Sequence, residues 1–128
     1  MEDRSYKAKL LIADDELNIR DILRDFFIRK KYQVDTASSG REVVEKLKQD
    51  KPDILLLDLR MPDMTGEEVL KFIDDNKINV GIIIITGYPG EVKNRKLLNR
   101  TYDFVVKPFD LDYLNNTVLT KVILLTEG

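Results

Sequence analysis

Four hydrophobic runs in this chain each end on a reactive polar side chain. Leu10-Leu11-Ile12-Ala13 runs into Asp14-Asp15, and Ile54-Leu55-Leu56-Leu57 into Asp58. Ile82-Ile83-Ile84-Ile85 runs into Thr86, and Phe104-Val105-Val106 into Lys107-Pro108. If the runs are neighbouring parallel strands, three carboxylates, a hydroxyl and an ammonium meet at one sheet edge. Carboxylates in one pocket repel one another, so a hard divalent cation and the lysine are the natural compensation. Mg2+ keeps several waters and is usually held by one or two carboxylates plus phosphate. Asp14 and Asp15, opposite Asp58, can supply that. With Mg2+ and Lys107 beside it, an Asp58 oxygen can attack an incoming phosphorus to give an aspartyl phosphate. Thr86 can then hydrogen-bond one phosphoryl oxygen and Lys107 can pair with another. Each residue also has an ordinary reading. Aspartates at strand ends form turns and caps, threonine is common in strands, and lysine is usually solvated. Convergence of all five on one edge is what favours the chemistry.

The elements that must position them alternate apolar runs with amphipathic stretches. A strand over Lys9–Ala13 is followed by a helix over about Glu16–Lys30, with Ile19, Ile22, Leu23, Phe26 and Phe27 on one face. A weaker strand covers Gln33–Ala37. Ser39-Gly40-Arg41-Glu42 reads as a capping box opening a helix with Val43, Val44 and Leu47 inward. The third strand spans Asp53–Asp58, and the loop Leu59–Thr65 follows it. Thr65-Gly66-Glu67-Glu68 is a second capping box, before Val69, Leu70 and Ile73. The spacing then predicts a strand over Asn79–Thr86, a turn at Gly87–Gly90, a helix over Glu91–Asn99 and a short strand over Tyr102–Val106. Asp110 can cap a last helix carrying Leu111, Leu114, Val118, Val122 and Leu125. Strands that are apolar throughout call for cover on both faces, which gives a doubly wound α/β parallel sheet. In such sheets the ligand site lies beyond the carboxyl ends of the strands.

Length and composition narrow the classes. The 128 residues make one domain, 1–128, with a core over about 9–125. A net charge of −2 does not support direct nucleic-acid binding. No apolar stretch approaches the roughly 20 residues of a membrane helix, and the charged N-terminus is no secretory signal. No membrane partner is therefore expected. With no cysteine the expected location is cytoplasmic. The chain has no histidine, so any phosphohistidine donor must be another protein.

Taken together, Ile12-Ala13-Asp14-Asp15-Glu16, Ile54–Asp58, Met61-Pro62-Asp63-Met64-Thr65-Gly66, Ile85-Thr86-Gly87 and Val106-Lys107-Pro108-Phe109 resemble the receiver domain of two-component response regulators. The resemblance covers nearly the whole chain. It implies a (βα)5 flavodoxin-like fold with strand order 2-1-3-4-5. It also implies a phosphorelay partner, a histidine kinase or phosphotransfer protein, that phosphorylates Asp58 in a Mg2+-dependent reaction. By the same motifs Asp14 and Asp15 match the acidic metal pair. Arg60 matches the position whose backbone carbonyl binds the metal, and Thr86 and Lys107 match the phosphoryl-sensing pair. Thr86 and Phe104 match the switch residues. Lys107-Pro108 would be a cis peptide. Phosphorylation would switch the surface around the fourth helix, fifth strand and fifth helix, and so reach a downstream target protein or an output domain. The protein would catalyse its own phosphorylation and dephosphorylation without being a metabolic enzyme.

Three features depart from the family pattern. Phe104 lacks the hydroxyl of the tyrosine often found there. Leu98-Asn99-Arg100-Thr101-Tyr102 replaces the usual Gly-Ala segment. Arg60 and Tyr88, two residues beyond Asp58 and Thr86, are expected to flank the phosphoryl group and hinder an attacking water. Other functions stay open at this stage. A flavin carrier would need a hydroxyl- and glycine-rich loop where Ala13–Leu17 is acidic. A phosphatase with an aspartate nucleophile usually has a second acid at the position of Arg60. A receiver-like docking module would not be phosphorylated at all.

Overall fold

The computed structural model describes residues 6–87 and 103–127. In chain order the elements are β1 (Lys9–Ala13), α1 (Leu17–Arg29), β2 (Gln33–Ala37), α2 (Gly40–Gln49), β3 (Ile54–Asp58), α3 (Gly66–Asp75), β4 (Gly81–Thr86), β5 (Asp103–Val106) and α4 (Leu111–Glu127). The helix expected over Glu91–Asn99, with Asn99 and Tyr88, lies outside the described residues.

The five strands form one parallel sheet in the order β2-β1-β3-β4-β5, as the resemblance implies. Successive side chains of a strand point to opposite faces, and the core divides accordingly. Leu11, Ala13, Leu55, Leu57, Ile82 and Ile84 pack with Val43 and Leu47 of α2 and with Val69, Leu70 and Ile73 of α3. Leu10, Ile12, Ile54, Leu56, Ile83 and Ile85 pack on the other face with Leu23 and Phe27 of α1 and with Leu114, Val118 and Val122 of α4. Both faces of the three inner strands are covered, which is why residues 10–13, 54–57 and 82–85 are apolar without alternation. β2, at the edge, alternates exposed Gln33 and Asp35 with inward residues.

Four local expectations need correction. β3 starts one residue, and β4 two residues, later than the apolar runs suggested. At α2, the Ser39 hydroxyl accepts from the Glu42 N–H at 3.1 Å, but Glu42 reaches past Ser39 to the Ser38 N–H at 2.7 Å. The reciprocal capping box forms only at Thr65 and Glu68. Ile22 is exposed because it lies about 120° round the helix from the ridge of Leu23 and Phe27. Leu125 is exposed for a different reason. The 17-residue α4 is about 25 Å long, whereas the six-residue β4 is about 20 Å, so the last turn overhangs the sheet.

Two helices end in an unusual way. After α1 the Tyr32 N–H bonds Phe27 O and the Lys31 N–H bonds Ile28 O; after α3 the Ile78 N–H bonds Ile73 O and the Lys77 N–H bonds Asp74 O. Both are Schellman endings, which favour glycine at the left-handed position. Lys31 (φ 74°) and Lys77 (φ 52°) occupy it here. A left-handed L residue costs about 1–2 kcal/mol, partly offset by glycine's larger unfolded freedom. Lys31→Gly and Lys77→Gly should each therefore raise stability, by about 0.5–1 kcal/mol in urea denaturation.

Candidate functional site

Register decides which polar residues meet. Ala13 pairs with Leu57, so Asp14 and Asp58 are the next residues out on adjacent strands. Asp58 pairs with Ile85, and Thr86 with Val106, which brings Thr86 and Lys107 to the same edge. Asp14, Asp58 and Thr86 are buried, while Asp15 and Arg60 are exposed.

Lys107 joins the two buried carboxylates. Its ammonium donates to Asp58 Oδ2 at 2.8 Å and to Asp14 Oδ2 at 3.0 Å. The second oxygen of each aspartate turns back onto its own chain. Asp14 Oδ1 accepts from the Glu16 N–H at 2.9 Å, and Asp58 Oδ1 from the Arg60 N–H at 2.9 Å. Both are Asx turns, a local habit of aspartate that here fixes each carboxylate's orientation. The Lys107 N–H donates to Thr86 O at 2.7 Å, and the Lys107-Pro108 peptide is cis.

Asp14 and Lys107 both hold a proton more tightly than usual, for different reasons. Burial pushes the Asp14 carboxyl above its ordinary range, and the charge of Asp58 adds to this. The Glu16 N–H and Lys107 offset only part of the rise. Burial also works to strip the proton from Lys107, but its hydrogen bonds to Asp58 and Asp14 outweigh that and hold the ammonium charged. One ammonium thus serves two buried acids.

The cluster opens on a polar cleft of about 380 Å³, lined by Asp15, Glu16, Asp58, Arg60, Gly87 and Lys107. A slightly larger apolar groove, between α1 and the segment 107–111, shares only Lys107 with it. The carboxylates of Asp14, Asp15 and Glu16 lie within 4.8 Å of one another. This all-oxygen donor set, with Asp58 beside it, suits a hard cation such as Mg2+. Glu16 was not anticipated as a member. Its only sequence signal is adjacency to the acidic pair, and its place at a helix start gives it an ordinary role.

The far wall depends on two tight features. At Gly66 a Cβ would lie 2.6 Å from the Leu59 Cα and 2.9 Å from the Asp58 carbonyl oxygen, so any side chain would push on the end of β3. Between them, Met64 N–H donates to Pro62 O at 2.7 Å across Asp63, whose φ is 66°. This is the rare, strained form of the three-residue γ-turn. Phe104 is half-buried against the core on the α2–α3 face.

If the shared ammonium balances this pocket, two substitutions should move stability in opposite directions in metal-free buffer. Lys107→Met leaves two buried carboxylates facing each other and should cost about 2–3 kcal/mol, allowing for the open cleft. Asp14→Asn removes the repulsion and should stabilise by about 1 kcal/mol. Urea denaturation with a chelator present measures both.

The family profile described as "Response regulator receiver domain" matches residues 10–119. Sporulation initiation phosphotransferase F of Bacillus subtilis is 35% identical over 113 residues, 86% of this chain and 90% of that protein. Chemotaxis protein CheY of Thermotoga maritima is 36% identical over 103 residues, 79% of this chain and 86% of that one. Regulatory protein AtoC of Escherichia coli is 35% identical over 84% of this chain, which spans only 23% of that protein's length. Among solved structures, a signal receiver domain from Vibrio parahaemolyticus has a TM-score of 0.85 at 27% identity, covering 94% of this chain and 98% of that one. The Thermotoga maritima response regulator TrrA, in complex with Mg2+-BeF, has a TM-score of 0.79 at 32% identity, covering 88% and 97%. Receiver domains bind Mg2+, are typically phosphorylated on an aspartate, and work with a kinase or phosphotransfer partner. With a five-stranded sheet in the matching order and the profile running across all of its strands, this chain belongs to the response regulator receiver domains of two-component signalling.

Proposed function

We propose that this domain accepts a phosphoryl group on Asp58 from a partner histidine kinase or phosphotransfer protein. The observation that carries the reading is the Lys107 ammonium bridging Asp14 and Asp58 at the mouth of an acidic cleft. Asp58 is the nucleophile. A bond forms between its carboxylate oxygen and phosphorus, and the bond from phosphorus to the donor breaks, with the electron pair leaving on the donor group. The Arg60 N–H keeps the carboxylate turned toward the cleft. Lys107 passes one of its hydrogen bonds from Asp58 to a phosphoryl oxygen, and the Thr86 hydroxyl takes another. Asp14, Asp15 and Asp58, with the backbone carbonyl of Arg60, would hold Mg2+, which supplies the positive charge that lets two anions approach.

The output follows from what moves. Phosphorylation adds about −1.5 to −2 charges and three acceptor oxygens. Thr86, fully buried at the end of β4, shifts toward them, and Phe104 fills the vacated space. The surface that changes is then that of β5 and α4; the helix expected over Glu91–Asn99 lies outside the described residues. A downstream target protein, or an output domain on a longer chain, reads it.

Incubation with Mg2+ and a small acyl phosphate should add about 80 Da to the intact protein, the mass of a phosphoryl group replacing a proton. Asp58→Asn should abolish the adduct. No adduct at any donor concentration would leave a docking module that is never phosphorylated. Arg60 lines the cleft beside Asp58. Arg60→Asn should therefore speed loss of the adduct once the donor is removed, as followed by mass spectrometry.

A further inference from the structure

The turn between β1 and α1 carries three carboxylates, and the Asx turn at its helix start fixes only that of Asp14. α2 and α3 are capped by Ser39 and Thr65. α1 starts at Leu17 after Glu16, which makes no side-chain cap bond, and has no acidic residue in its first turn. Arg20 holds this turn instead. Its backbone N–H donates to Glu16 O at 3.0 Å, and its guanidinium reaches back to donate to the Asp14 carbonyl oxygen at 2.7 Å. With the Asp14 N–H donating to Ala37 O at 3.1 Å, Asp14 is held at its nitrogen, its carbonyl and both side-chain oxygens. The Asp14 carbonyl belongs to the peptide plane leading into Asp15, so fixing it fixes the direction of the next side chain. Among the described residues this guanidinium pairs with no carboxylate, although Asp14, Asp15 and Glu16 precede it within two turns. Its bond is made to a carbonyl and not to the acidic oxygens.

We propose that Arg20 is a positioning residue for the cation-binding turn: its bond to the Asp14 carbonyl keeps the carboxylates of Asp14, Asp15 and Glu16 convergent. The inference rests on the reading above, that this cluster binds Mg2+. It predicts a sign that simple electrostatics does not. A nearby positive charge repels Mg2+, so if charge were its only influence, removing Arg20 would tighten binding. Loss of an outer-shell partner typically weakens metal affinity about 10–100-fold.

The test uses the full chain, metal-free at the start, with Arg20→Met, Arg20→Lys and Arg20→Gln. Mg2+ affinity is measured by calorimetry, and amide hydrogen exchange at Asp15 and Glu16 is followed without metal. Arg20→Met should bind Mg2+ about tenfold more weakly or worse, and exchange faster at both amides. Lysine keeps a donor of nearly the same reach and should restore most of the affinity; glutamine, two bonds shorter than arginine, should bind as weakly as methionine. Binding by Arg20→Met as tight as wild type or tighter would overturn the proposal. So would failure of Arg20→Lys, folded by circular dichroism, to recover affinity; Arg20→Gln, compared with Arg20→Lys, keeps the test decisive if the methionine variant does not fold. If wild type itself binds no Mg2+, the functional reading fails, and unchanged exchange in the folded variants then overturns the role of Arg20 separately.

Discussion

One ammonium between two buried carboxylates is the constraint on which the rest of this structure depends. Buried like charges side by side are unfavourable unless something answers them, and Lys107 is the only cation whose ammonium touches both Asp14 and Asp58 among the described residues. Its position is itself dictated by β5. The strand must pair with β4 in the observed register, and the Lys107 N–H must find Thr86 O, for the side chain to arrive between the two acids. The arrangement remains one positive charge short even before the exposed Asp15 and Glu16 are counted. A pocket in that condition favours a divalent cation and, once that cation is present, tolerates an anion. The affinity of the domain for its chemistry is thus already present in its resting charge imbalance.

The sheet isolates this imbalance from the core. From Leu10, Ile54 and Ile82 up to the carboxyl edge, every residue of β1, β3 and β4 is committed to one of two apolar layers, so polarity is confined to the strand ends. The same geometry imposes close contacts at the rim. Gly66 brings α3 against the backbone of Asp58 and Leu59, and a Cβ at Gly40 would overlap the carbonyl of Met64. The loop from Leu59 to Thr65 is therefore clamped between two helix starts while its middle holds the strained turn at Asp63. Rigid supports on either side of a short irregular loop keep the Arg60 N–H in line with the Asp58 carboxylate.

Most of the scaffold was legible in the residues because hydrophobic runs and capping residues report directly on burial and helix starts. The sheet order came from the family resemblance, and the meeting of Asp14, Asp58, Thr86 and Lys107 from the strand ends. What was not legible depended on longer-range geometry. Ile22 has an apolar side chain but the wrong angle on its helix. Leu125 has the right angle but lies beyond the end of the sheet. Glu42 skips the residue that the capping pattern names. Arg20 looks like any solvated helix arginine until the path of the turn before it is known, and Lys31 and Lys77 occupy positions where local preference would have placed glycine.

The pairing of Lys107 also bears on how the chain assembles. It is separated from Asp58 by 49 residues and from Asp14 by 93. Contacts so distant in sequence require long segments to be closed first and are intrinsically slow to form. β1, β2 and β3 can pair with one another without β5, and a chain in that condition has its two acids in register with no ammonium between them. The ammonium reaches the two acids only when the final strand docks, so the paired site arrives with completion of the fold and not before it.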